Sequence, residues 1–270
     1  MKRLTKINHW DNVHTDNKNH FLQNIGDKLN ETKYFKSYTF SAFDRLCRKY
    51  LPNLFNLKIL EVGSAPGRRL LYMHKIFEYE PYGVEYSADG VNSNKEYFRK
   101  NNLNPNNVIH ADFFDPAFQN SYKSSFNIVS SFGFIEHFDD PSRAVKYHLN
   151  LLKKSGLILI TVPNLRGLNY YVQTILNKSV IKKHNLEIME LQRFRSLFMM
   201  ESIDEVYCDY YGTYNFATFN VKPGSIMVYV KYILLCLQMV LNPLMHVFLR
   251  NRGLDSPLWS PYLIFIGKKK

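Results

Sequence analysis

Cysteine is scarce in this 270-residue chain: there are three, Cys47, Cys208 and Cys236, set far apart. No C-x-x-C pair is present to hold a structural metal or a redox disulfide, and the odd count argues against a disulfide framework. A reducing, cytoplasmic setting is therefore expected. The first residues lack the apolar run of a signal peptide, since Lys2, Arg3 and Lys6 lead into a polar stretch over residues 8–19. Acidic residues are thin in one segment: residues 141–200 hold ten Lys or Arg against two Asp or Glu, most of the formal net charge of +12. A field of that sign attracts an anionic substrate, a nucleic acid or an acidic membrane surface, and it is also what an ordinary solvated lysine-rich face produces. What the chain has in quantity is apolar (46%) and aromatic (15%) side chains, which excludes a disordered polymer and is ample for a buried core.

The sequence is organised around residues 57–77. Leu57, Ile59, Leu60 and Val62 make an apolar run, Gly63 and Gly67 punctuate a short turn, and residues 68–77 follow with helical spacing and no breaker. The pattern reads strand, tight loop, helix. Gly63 lets the backbone leave the strand at dihedrals closed to other residues, and Gly67 removes a Cβ where a ligand or the strand must come close to the helix start. Amides exposed at such a turn favour a polar or anionic ligand group. The glycines are spaced G-x-x-x-G with an acid, Glu61, two residues before the first, so this is not the dinucleotide fingerprint G-x-G-x-x-G.

The chain on either side repeats that unit. Residues 34–50 carry a helical apolar pattern ended by Pro52, and residues 1–52 are expected to form an N-terminal helical cap on a domain spanning 53–270. Residues 82–86 read as a second strand with Glu85 at its end, where a carboxylate can accept from both hydroxyls of a ribose. A helix over 91–102 and a third strand over 108–112 follow, ending at Asp112 with Phe113 and Phe114 behind it. That carboxylate suits the exocyclic amine of an adenine, with a ring or amide covering the base; Asp115-Pro116 equally marks a plain turn. A fourth strand over 126–131 ends at Ser131 and runs into Gly133, Glu136 and His137. The next helix, 142–153, is expected to stop at Gly156, which opens a nearly all-apolar strand at 157–162, as a parallel strand covered on both faces requires. Five strand and helix repeats give a doubly wound α/β sheet, and ligands of such sheets bind at the carboxyl ends of the strands, where Gly63, Glu85, Asp112 and Ser131 fall.

Taken in order, these motifs resemble the class I S-adenosylmethionine (SAM) dependent methyltransferases over residues 57–164. Glu61, Val62, Gly63, Ser64, Ala65, Pro66 and Gly67 resemble motif I, Gly83, Val84, Glu85, Tyr86 and Ser87 the ribose-binding strand, and His110, Ala111, Asp112 and Phe113 the adenine-side motif. The segment from Ser131 to Phe138, with its Glu136-His137 pair, looks most like the small-molecule enzymes of the ubiquinone O-methyltransferase type. The resemblance implies a Rossmann-like, mostly parallel seven-stranded sheet with an antiparallel last strand, built from residues 203–211 and 262–267 besides the five strands above. It also implies SAM across the strand ends, with methionine near Gly63 and Gly67, ribose on Glu85 and adenine near Asp112 and Phe113. Glu61, Ser64, Ala65, Tyr86, Ser87, Phe114, Ser131 and Gly133 complete the implied cofactor-binding set. Pro66, Arg68 and Arg69 make the first loop stiffer and more basic than in many members. No Asn-Pro-Pro-Tyr or Asp-Pro-Pro-Tyr segment follows strand four, as amino-methylating nucleic-acid enzymes would carry it, and no Cys stands there to attack a pyrimidine.

Methyl transfer from a sulfonium is an in-line displacement, so the protein has mainly to align the partners and exclude water. For a hydroxyl acceptor a base helps, and His137 is the candidate, with Glu136 either orienting it or contacting the cofactor side; the pair equally suits a loop cap before Pro141. His184 is a second candidate. No metal-binding set is read from the sequence. Additions at 165–200 and 222–255 would shape the acceptor side, and Arg166, Lys182, Lys183, His184, Arg193 and Arg195 favour a small or carrier-linked acceptor bearing phosphate or carboxylate, methylated at oxygen. An RNA methyltransferase and a non-catalytic SAM-binding or membrane-associated protein stand as the alternatives. Within 226–249, the polar residues Lys231, Gln238, Asn242 and His246 fall in an arc of about 80° on an otherwise apolar helix. Such a helix is expected to pack against the cap or a partner subunit, or to lie in a membrane interface.

Overall fold

The computed structural model describes residues 2–4, 36–200, 202–222 and 224–270. Its centre is a seven-stranded sheet of order β3-β2-β1-β4-β5-β7-β6, with β1 Lys58–Val62, β2 Glu80–Glu85, β3 Val108–His110, β4 Phe126–Phe132, β5 Leu152–Pro163, β6 Ile203–Tyr211 and β7 Tyr262–Lys269. The first five pair in parallel, and β7 runs antiparallel to both β5 and β6. Among the described residues eight α-helices accompany it: α1 Tyr38–Tyr50, α2 Arg68–Phe77, α3 Ala88–Lys100, α4 Pro116–Ser121, α5 Pro141–Leu151, α6 Gly167–Ile181, α7 Leu191–Ser196 and α8 Met227–Phe248.

Alternation along the strands sorts the core into two layers. Leu60, Val62, Val129, Ile158, Ile160 and Phe265 point to one face, under Ala144, Val145 and Leu149 of α5 and Phe194 of α7. Ile59, Ile128, Leu159, Ile264 and Ile266 point to the other, under Phe43 and Cys47 of α1, Leu70 and Met73 of α2, and Phe98 of α3. Cys47 and Cys208 are buried thiols and Cys236 is exposed.

Several boundaries differ from the sequence expectation: β2 starts at Glu80 and ends at Glu85, β3 ends at His110, two residues before Asp112, and α3 runs from Ala88 to Lys100; two further differences have a visible cause. The helix expected to end near Gly156 stops at Leu151, and the strand starts at Leu152, paired with Phe126. Gly156 lies inside that strand, where a Cβ would stand 2.9 Å from the carbonyl oxygen of Asn127, so the glycine serves close approach of two strands and not a helix cap. The helix expected from residue 34 begins at Tyr38, with the Ser37 hydroxyl accepting from the Phe40 amide at 3.4 Å. Tyr34 and most of the expected cap, 1–52, lie outside the described residues.

Candidate active site

The loops after β1 to β4 enclose a cavity of about 230 Å³. Gly63 and Ala65 border it from the first loop, Glu85 and Tyr86 from the second, Asp112, Phe113 and Phe114 from the third, and Gly133, Phe134, His137 and Phe138 from the fourth. Gly63 takes φ +70°, which turns the chain out of β1 while its amide donates to the Val84 carbonyl at 3.0 Å.

Glu85 is 8% exposed, and backbone amides fix its carboxylate. One oxygen accepts from Tyr86 at 2.9 Å and Ser87 at 3.2 Å, the other from Ala65 at 3.3 Å. A carboxylate oriented from the two neighbouring loops, facing a cavity, has acceptor capacity left for a ligand hydroxyl. Asp112 sits two residues beyond β3, where its carboxylate accepts from the Phe114 amide at 3.0 Å. Around it Phe113, Phe114, Phe134 and Phe138 form an aromatic wall, with Phe114 and Phe134 stacked at 6.2 Å between centroids and 19° between planes. Such a wall gives a flat base an apolar surface. The guanidinium of Arg3, which lines the same cavity, donates to both oxygens of Asp112 at 2.6 Å and lies 4.4 Å over the Tyr86 ring.

Arg3 was not foreseen from sequence. Only its sign, opposite to that of Asp112, could have hinted at the pair across 109 positions. Phe134 and Phe138 also went unsingled, although their spacing beside Gly133 is visible in the sequence.

Five expected cofactor residues stand behind the cavity instead of lining it. Gly67 has φ +100°, and a Cβ there would come 2.5 Å from Asn94 Oδ1 and 2.8 Å from Phe98, so its bare Cα lets α3 close against α2. Ser64 accepts from Asn94 Nδ2 at 2.6 Å, and Ser87 caps α3 by accepting from the Gly90 amide at 3.2 Å. Ser131 is fully buried in β4. Glu61 is buried on the α2 face of β1, where burial, against the pull of Arg69, pushes its carboxyl up to about 8; the nearby Glu85 charge adds to the rise.

The three expected catalytic residues come together. Glu136 and His137 occupy a short turn after β4, and His184 follows α6, with the two imidazole centroids 4.5 Å apart and Glu136 Oε1 3.9 Å from His137 Nε2. Ligand atoms of all three lie within 4.8 Å of one another. The Lys183 carbonyl accepts from His137 Nδ1 at 3.1 Å and the Val180 carbonyl from His184 Nδ1 at 2.7 Å. A carbonyl can only accept, so Nδ1 holds the proton in each ring and Nε2 is the basic nitrogen. Glu136 is 1% exposed, burial pushes its carboxyl up to about 8, and its Oε2 has no hydrogen-bond partner among the described residues.

The positive segment is less available than its composition implies. Arg166 pairs with Glu190 at 3.8 Å, Arg193 with Glu187 at 3.1 Å and Arg195 with Glu205 at 3.0 Å, while Lys178 and Lys182 near the end of α6 are exposed.

Residues 15–205 match the family model described as a methyltransferase domain. A search of curated protein sequences returns no match. Among solved structures, geranyl diphosphate C-methyltransferase from Streptomyces coelicolor A3(2), in complex with Mg2+, geranyl diphosphate and S-adenosyl-L-homocysteine, superposes with a TM-score of 0.56 at 12% identity, covering 85% of this chain and 79% of its own. Phosphoethanolamine N-methyltransferase 2 of Haemonchus contortus, in complex with S-adenosyl-L-methionine, superposes at 0.53 and 14% identity over 90% of this chain and 59% of that one. The (4+2)-cyclase SpnF reaches 0.53 at 13% identity, covering 84% and 79%, so likeness at this level speaks for the fold alone. The carboxylate on its amide cradle, the aromatic wall and the glycine turn fit a nucleoside bearing a sulfonium amino acid. With the family match over most of its length, the chain belongs to the methyltransferase-domain family and is a class I enzyme that uses SAM.

Proposed function

We propose that the enzyme methylates an oxygen atom of an anionic small-molecule or carrier-linked acceptor, in a cytoplasmic setting, with His137 as general base. The observation that carries this reading is the meeting of Glu136, His137 and His184 beside a cavity that the first two loops line with Gly63 and Glu85. SAM supplies an electrophilic methyl when bound; the chain's own residues orient, desolvate and accept the proton. His137 borders the cavity with Nε2 as its basic nitrogen, so a hydroxyl brought there can hand its proton to that atom as the new oxygen–carbon bond forms. Glu85 and Asp112 would hold the ribose and adenine, and Ala65 and Gly63 would face the methionine end. Lys178 and Lys182, exposed near the His184 turn, favour an acceptor with phosphate or carboxylate.

The test is an acceptor panel at low salt, run with SAM binding measured separately by calorimetry. Preference for anionic over matched neutral acceptors supports the reading, and equal turnover on both would sink it.

The same three side chains support a second reading. Two imidazoles presenting Nε2, each fixed through Nδ1 by a carbonyl, with a buried carboxylate within 4.8 Å, form a set able to hold a divalent cation that would acidify the acceptor hydroxyl. Dialysis against a chelator separates the two: activity lost and restored by Mg2+, Mn2+ or Zn2+ favours the cation, activity kept favours His137 as base.

A further inference from the structure

One helix of this protein is built inside out, and a second exposes apolar residues of its own. In α8, 22 residues long, the residues turned to the domain are polar: Gln238 and Asn242 are each 6% exposed. Gln238 Oε1 accepts from the Phe216 amide at 2.9 Å, Asn242 Oδ1 accepts from the Tyr38 amide at 3.3 Å, and His246 Nε2 meets the Lys36 carbonyl at 2.9 Å. The outward residues are apolar, with Tyr229, Ile233, Val240 and Val247 each more than 60% exposed. Helix α6 is mixed: Asn169 and Gln173 are buried together with Leu176 and Val180, while Tyr171 and Ile175 are 66% and 71% exposed.

Both helices grip the same connecting segment. Gln173 accepts from the Asn220 amide at 3.0 Å and donates to its carbonyl at 2.8 Å, while Gln238 holds Phe216 four residues earlier. The two helices are therefore tied to one short segment, residues 216–220. Apolar surface of this extent on a folded domain marks an interaction site.

Charge decides the occupant. Lys178 and Lys182 at the end of α6 and Lys222, Arg250 and Arg252 on either side of α8 are exposed, and residues 166–185 and 219–254 contain no Asp or Glu. A second copy of the chain would bring like charges face to face, whereas anionic lipid headgroups would meet the basic residues as acyl chains receive the apolar ones. We infer that α6 and α8 together form a face that docks on an anionic lipid bilayer. Although α8 is long and apolar enough to cross a membrane, its polar stripe is hydrogen-bonded to the domain, so it lies along the surface and does not span it. Because the carbonyls of Val180 and Lys183, at the end of α6, hold His184 and His137, docking sets that edge of the site at the bilayer, where a carrier-linked acceptor would arrive. The inference stands without the proposed acceptor, and its test needs no turnover.

The experiment is flotation of the full chain with vesicles of phosphatidylcholine alone or with one third phosphatidylglycerol. Co-flotation is expected with the anionic vesicles, weakened by raised salt, and cut more than tenfold by Ile233→Glu with Ile175→Glu. Both positions are exposed, and retained SAM binding by calorimetry checks that the variant is folded. A fluorophore on Cys236, the exposed cysteine, gives a second readout, expected to shift to the blue on anionic vesicles. Failure to float with either vesicle type, unchanged flotation of the double variant, or a dimer in light scattering that the double variant abolishes without any vesicle binding would overturn the inference.

Discussion

Arg3 and Asp112 form a carboxylate–guanidinium pair at one end of the cofactor cavity, with a single guanidinium nitrogen 2.6 Å from both carboxylate oxygens. The contact belongs to a short antiparallel bridge, Arg3 against Phe138, reinforced by the Leu4 amide donating to the His137 carbonyl at 2.8 Å. The beginning of the chain is thereby tied to the turn that carries the catalytic candidates.

Replacing Arg3 with Ala should act on the cofactor and not on the fold. The pair is about one third exposed on each side, so its loss should cost at most about 1 kcal/mol of stability. The guanidinium also closes the cavity over Tyr86, and without it SAM should dissociate faster, with affinity reduced by roughly threefold to tenfold, or about 1 kcal/mol. Stopped-flow binding checks this. Tighter SAM binding in the variant would mean that Arg3 competes for Asp112 instead of covering the site.

Glu85→Ala should be more damaging. Three backbone amides, from Ala65, Tyr86 and Ser87, would lose their shared acceptor in a largely buried position. Leaving such groups unsatisfied costs about 1–3 kcal/mol each, in addition to the lost ribose contact. Calorimetry should show SAM affinity down by more than about a hundredfold, some 2.7 kcal/mol. Glu85→Gln restores one acceptor oxygen and should recover part of it; full recovery would show that the carboxylate charge is unimportant.

Much of this architecture was legible because it is local. The turn from β1 to α2 and the position of Glu85 at the end of β2 depend on a few neighbours each; α2 appears over the residues read for it, β1 within one residue, and β2 with Glu85 as its last residue though it starts two residues earlier than read. The Arg3 contact was not, since two side chains 109 positions apart meet only through the sheet order. The arc of Lys231, Gln238, Asn242 and His246 was visible too, but periodicity tells which residues share a face and not which face looks inward. Here the expected packing against the first helix occurs through the polar stripe, because Tyr38 and Phe216 present backbone groups that Asn242 and Gln238 can satisfy. At β5, a glycine that reads as a helix stop is spent on strand packing, a tertiary demand that leaves the same letter.

Stability should fall as pH rises through neutrality. Burial raises the carboxyls of Glu61 and Glu136 from an ordinary 4.5 to about 8. The folded chain therefore holds these protons more tightly than the unfolded one, so their contribution is complete below about 4.5 and is lost as pH climbs to about 8. His148, buried and held down at about 4, acts in the opposite direction at lower pH, and its window closes near 6.5. Between pH 6.5 and 8, Glu136→Gln should flatten the decline in unfolding free energy by roughly 1.4 kcal/mol per pH unit. Urea titrations at several pH values measure it, and a slope equal to that of the parent would show that Glu136 is ionised in the folded protein.

His137→Ala tests the base directly, and the residue is buried with its Nδ1 on the Lys183 carbonyl, so the variant also tests positioning. Loss of a general base lowers turnover by about 10²–10⁴-fold. SAM affinity should stay within about twofold, because the cofactor's implied contacts lie on Glu85 and Asp112. His184→Ala leaves the His137 bond to Lys183 in place and should cost less. The deciding measurement is the pH profile of kcat: the parent should show an acid limb from protonation of the base, and in His137→Ala that limb should vanish along with the rate. A variant that keeps both the limb and near-parental turnover would return His137 to the role of a buried loop residue.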